Sequence, residues 1–227
     1  MPTILMGWEY GGGLGHAARL LPIARALRER GHTVTFAMKN PNALATLTEA
    51  DEFRSVTAPV ARILKRNSGT PFQAGSYADI LAVHGFNDEQ CLFDTLQQWE
   101  AILDSDQPDL IVCEHAPALS LAAFGNYRVV HVGTGFTCPP TDGDQFPPFA
   151  ESVASVDQAE MLQVVTRGQQ RRNAVQLAKL TEVLATGRQF VMTWPELDPY
   201  QTVRRKTPVG PIEPLPESRG VASKLVP

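Results

Sequence analysis

Cysteine is scarce. Only Cys91, Cys113 and Cys138 occur in 227 residues, widely spaced and without a C-x-x-C pair. That argues against a disulfide-stapled fold or a cysteine zinc centre and points to a reducing compartment. Long apolar runs are missing too. No stretch approaches the ~20 apolar residues that span a bilayer. The N-terminal run from Thr3 to Trp8 is too short for a secretory signal and ends in Glu9 and a glycine cluster. The expectation is a cytoplasmic protein with no transmembrane segment. A basic excess is also absent: 20 Lys and Arg stand against 24 Asp and Glu, a formal net charge of -4. Nucleic acid is therefore not an expected partner, because a phosphate-binding surface is normally strongly basic. No internal repeat, G-K-[ST] phosphate loop or G-x-S-x-G nucleophile motif is present.

What is present alternates strand and helix. Ile4 to Trp8 reads as a buried strand, Gly11-Gly12-Gly13-Leu14-Gly15 as a loop, and His16 to Arg30 as a helix. Ala17, Leu20, Leu21, Ala24 and Leu27 recur at helical spacing, with Arg19, Arg28 and Glu29 assigned to the helix surface. Gly31 stops the helix, and Thr33 to Met38 is a β-branched and aromatic second strand. Further along, the pattern predicts helices at 41–50, 89–104, 116–124 and a long polar one at 158–184. Strands are predicted at 53–58, 109–114, 128–132 and 190–193, with an irregular excursion at 59–88. Such alternation predicts an α/β fold, a Rossmann-like, mostly parallel sheet with helices on both faces. From Thr207 the chain turns proline-rich, with Pro208, Pro211, Pro214 and Pro216. The expected organisation is a Rossmann-like domain over 1–206 and a linker or tail over 207–227.

A glycine loop that follows the first strand and opens a helix is where open α/β sheets bind ligands. The nicotinamide fingerprint G-x-G-x-x-G does not fit. Its third glycine falls on His16 or Ala18, and the second strand ends Met38-Lys39-Asn40 without the acidic ribose ligand. The run Gly11-Gly12-Gly13-Leu14-Gly15-His16 continues through Leu20-Leu21-Pro22-Ile23-Ala24-Arg25-Ala26-Leu27 to Arg30-Gly31-His32-Thr33-Val34. It resembles the start of many nucleotide-sugar-dependent glycosyltransferases of the GT-B architecture. Pro108-Asp109-Leu110-Ile111-Val112-Cys113-Glu114 resembles that family's strand with an acidic end. Pro195-Glu196-Leu197-Asp198 and Val209-Gly210-Pro211 resemble its approach to the interdomain linker.

The resemblance implies the N-terminal, acceptor-binding half of a GT-B fold, with the C-terminal donor-binding domain absent from this chain or supplied by another. It implies transfer of a sugar, with inversion and without a metal, from a nucleotide-sugar co-substrate (UDP- or dTDP-linked) to a hydroxyl of a small, largely apolar acceptor. No separate cofactor is implied. His16 matches the general base and Glu114 its acidic partner, where the family usually has Asp. Gly12, Gly13, Leu14 and Gly15 would lie near the donor phosphate and sugar, and Trp8, Phe86, Thr134, Phe136 and Phe146 are candidate acceptor contacts. Two other readings stay open: a non-catalytic half of a split glycosyltransferase, and a nucleotide-sugar epimerase of the same architecture.

The other polar residues have plainer readings. His32 belongs in a turn and His131 in a buried strand, while His84, in the irregular excursion, either lines an acceptor pocket or is simply solvated. His115 is expected to face away from its neighbour Glu114, because adjacent strand residues alternate sides. Asp142-Gly143-Asp144 reads as a turn rather than a metal motif. Arg167, Arg171, Arg172, Lys179 and Arg188 form a basic run suited to a solvated face, an anionic lipid surface or an acidic partner. Phe72, Tyr77 and Phe149 are further aromatic candidates for an acceptor wall.

Overall fold

In β1 (Thr3–Trp8) alternate side chains enter different cores. Ile4, Met6 and Trp8 pack with α1 (Gly15–Glu29) and the short α2 (Pro41–Ala45), whereas Leu5 faces the opposite layer. This two-residue period is what a strand buried on both faces requires. Neighbouring strands repeat it. Val34, Phe36 and Met38 of β2 (Thr33–Met38) join the first core, and Ile111 and Cys113 of β4 (Leu110–Glu114) join the second. The second core is closed by α4 (Glu89–Asp106), α5 (Pro117–Ala123) and α6 (Gln158–Arg171). The computed structural model describes residues 1–49, 52–61, 73–149, 152, 154–185 and 187–212.

With β3 (Arg54–Thr57), β5 (Val129–Gly133) and β6 (Gly187–Val191), the sheet has six strands in the order β3-β2-β1-β4-β5-β6. Every pairing is parallel. The expected Rossmann-like sheet with helices on both faces is therefore the observed architecture. Strand order reverses between β1 and β4, the switch point where such sheets bind ligands beyond their carboxyl ends. Trp8 pairs with Glu114 at that point.

Two details fix the switch point. Gly7 sits under α5, and a Cβ there would lie 2.2 Å from Leu119 Cδ2, so the strand and helix approach closely only because the side chain is missing. Glu9, fully buried just past β1, accepts hydrogen bonds from the Ala118 and Leu119 amides at 3.0 and 2.5 Å. Its carboxyl thereby ties the end of β1 to the first turn of α5, where the helix amides have no internal partner.

Several predicted elements differ from those observed. α2 ends at Ala45, and β6 begins earlier than predicted, at Gly187. The excursion contains α3 (Tyr77–Leu81), started by a Ser76/Asp79 capping box. α3 runs into a π-turn over Ala82–Phe86 that kinks at His84 and Gly85. The Asp79 carboxylate also accepts from the amide and hydroxyl of Ser155, pinning the excursion to the lead-in of α6. The long polar helix is two pieces: α6 stops at Arg171, Asn173 is left-handed, and a 3-10 turn follows at Leu180–Leu184. Phe72 lies outside the described residues.

Three arginines of the basic run pair with α4 within the chain, two at the surface and one buried. Arg167 and Arg171 reach Glu89 at 2.8 and 3.5 Å, and Arg172, almost wholly buried, reaches Glu100 at 2.8 Å. These pairs lace α6 to α4. Among the described residues no helix is long and apolar enough to cross a membrane.

Candidate functional site

The site grows from the carboxyl ends of β1 and β4. After β1 the chain turns through Gly11 and Gly13, both with positive φ (+90° and +78°), and enters α1. No side chain caps this helix, and Leu14, at its start, is exposed. A Cβ on Gly12, Gly13 or Gly15 would meet nothing within 4 Å among the described residues. His16, in the first turn of α1, stacks on Trp8 with ring centroids 5.0 Å apart and an interplanar angle of 18°.

Glu114 ends β4 and is completely buried. One of its oxygens, Oε2, hydrogen-bonds His16 Nδ1. The other, Oε1, accepts from Arg19 Nη1 at 2.5 Å. Arg19 was assigned to the helix surface; it is instead turned inward onto Glu114, with its side chain 22% exposed. The signal that could have found it is spacing. His16 and Arg19 are three residues apart on one helix and share a face. Two cationic or hydrogen-bonding partners on one buried carboxylate satisfy what burial alone would make costly.

The remaining ring nitrogen, His16 Nε2, has no hydrogen-bond partner among the described residues, and the side chain is 16% exposed. A Cβ on Gly11 would stand 2.3 Å from Nε2. The glycine thus keeps the face of that nitrogen clear, and its φ of +90° is one that other residues rarely adopt. Chemically, the arrangement is an imidazole with one nitrogen anchored to a carboxylate and the other available to take a proton.

His115 corrects the simple alternation expected of it. It lies past the strand end with φ +49°, and its ring reaches within 5.8 Å of the His16 ring, centroid to centroid. Tyr10, Tyr77 and Phe136 surround it. His84, of the irregular excursion, stacks on Tyr10 at 3.6 Å. Burial pushes the His84 imidazole down to about 4 and the His115 imidazole down to about 3, so both are neutral at physiological pH. Sequence reasoning did not bring this pair together, because the bend at Glu114–His115 and the π-turn are not written as periodicity.

Among the acceptor candidates, Phe136 is 44% exposed and Thr134 half-buried beyond the end of β5. Trp8, Phe86 and Phe146 are buried at 2% exposure or less; Trp8 underlies His16, and Phe146 packs on Tyr77. The loop after β5 is braced from behind by Asp198, which ion-pairs with Arg204. Arg204 also donates to the Cys138 carbonyl at 2.9 Å. His131 is buried in β5, with Ser120 Oγ 3.4 Å from its Nε2. In the Asp142–Asp144 turn, the Gly143 carbonyl accepts from Thr181 at 2.6 Å.

No protein-family model matches the chain, and no curated protein sequence does. Solved structures do match. The glycotransferase of kitacinnamycin is 18% identical, with a TM-score of 0.59, over 94% of this chain and 52% of that one. SsfS6, a glycosyltransferase of Streptomyces sp. SF2575, is 15% identical, with a TM-score of 0.50, over 86% of this chain and 51% of that one. This chain spans about half the length of each. What the likeness shows at these identities is architecture: the chain has the Rossmann-like α/β fold of GT-B glycosyltransferases.

Proposed function

We propose that this chain is the acceptor-side half of an inverting, metal-independent glycosyltransferase, working with a donor-binding half in the same or another polypeptide. The observation that carries the reading is the anchored His16 at the sheet's switch point, bonded through Nδ1 to buried Glu114 with Nε2 unengaged. In the reaction, an acceptor O–H gives its proton to His16 Nε2 as the oxygen attacks the anomeric carbon of a UDP- or dTDP-sugar. The carbon–oxygen bond to the nucleoside diphosphate breaks, and the diphosphate leaves with that electron pair. Glu114 holds the Nδ1–H tautomer and stabilises the imidazolium that forms, while Arg19 fixes the carboxylate.

The open glycine loop from Gly12 to Gly15 lies toward the donor, and Thr134 and Phe136 border the acceptor. The test is turnover by the complete enzyme carrying His16→Ala. Loss of about a hundredfold or more in kcat, with nucleotide-sugar affinity unchanged, is expected for removal of a general base; near-normal turnover sinks the assignment.

A further inference from the structure

Beside His16 lies a group of buried polar atoms without a well-formed partner among the described residues. Neither ring nitrogen of His115 makes a well-formed hydrogen bond among the described residues, although the ring lies toward the Tyr10 carbonyl, and Nδ1 of His84 and the hydroxyls of Tyr10 and Tyr77 likewise lack a partner there. His115, Tyr10 and Tyr77 are each at least nine-tenths buried. Buried polar groups in folded proteins are nearly always paired, so a cluster of orphans calls for a missing partner. His115 sits at its hub, in ring contact with His16, Tyr10, Tyr77 and Phe136. Its backbone is left-handed, a strained state for a residue with a side chain.

We propose, resting on the acceptor-side reading above, that His115 is a specificity-determining residue. It binds a second oxygen substituent of a flat aromatic acceptor whose reacting hydroxyl lies at His16. A neutral imidazole offers one donor and one acceptor, so it takes a hydroxyl or a carbonyl equally. Tyr10 and Tyr77 supply the flanking hydroxyls. Phe136, stacked on Phe149 at 4.8 Å and partly open, supplies a flat apolar surface for the ring.

The test is calorimetric titration of this chain with 1-naphthol and 1,5-dihydroxynaphthalene, which differ by one hydroxyl. The diol is expected to bind roughly tenfold more tightly, the worth of one hydrogen bond to a group otherwise left unpaired. His115→Phe and His115→Gly are expected to erase that preference while retaining 1-naphthol binding; glycine tolerates the left-handed backbone if phenylalanine does not. Equal binding of the two naphthols to the unmodified chain, or a preference that survives both substitutions, overturns the role of His115 and leaves the acceptor-side reading standing. Binding of neither compound overturns both.

Discussion

Glu9 lies fully buried between Trp8 and Tyr10, and burial raises its pKa to about 8 despite two backbone hydrogen bonds. The sign of its effect follows from linkage. Between about pH 4.5 and pH 8 the folded chain holds a proton that the unfolded chain has released, so stability falls as pH rises through that window. Glu9→Gln removes the titration. Urea midpoints at pH 5.5 and 8 should show the variant gaining on the parent as pH rises; a constant difference would mean that Glu9 ionises normally. Arg19 tests the neighbouring charge. Arg19→Met leaves buried Glu114 with His16 as its one remaining side-chain partner among the described residues, and should cost about 2 kcal/mol after allowance for the partial exposure of Arg19. No change in the denaturation midpoint would show that the pair contributes nothing. Gly11→Ala places a methyl on His16 Nε2 and strains a backbone at φ +90°. In the complete enzyme it should lower kcat nearly as far as His16→Ala does, with a stability loss of about 1–3 kcal/mol. A variant that turns over normally would remove Nε2 from the mechanism.

Elements were legible where one period dominated. β1, α1, β2 and β4 follow directly from alternating or helical apolar spacing, and they carry Trp8, His16 and Glu114 to one sheet edge. The excursion was not legible, because α3 is set by a local capping box and the π-turn by the kink at His84 and Gly85 rather than by apolar periodicity. Nor was the end of α6, where no proline or glycine marks the break at Asn173. The same limit applies to the site. His16 and Glu114 could be named from motifs, whereas Arg19 and His115 depend on where a helix face and a strand end point. Close packing between elements gives its own prediction. Gly7→Ala drives a methyl into Leu119, and thermal unfolding should show a loss of about 1–3 kcal/mol from overpacking at the β1–α5 contact. An unchanged Tm would mean that the helix shifts freely.

At the scale of the whole molecule, the sheet places its switch point, its uncapped helix and its aromatic cluster at one edge. The division of labour proposed above draws on that placement; the chain spans about half the length of the glycosyltransferases it matches. On the proposed reading, the chain by itself is not expected to hold a nucleotide sugar. The most direct measurement is calorimetric titration of this chain, in parallel, with UDP-glucose, dTDP-glucose and 1-naphthol. Heat of binding from the naphthol, with none from either nucleotide sugar, is the predicted result. Tight binding of a nucleotide sugar without naphthol binding would assign this chain to the donor side and contradict the account of His16.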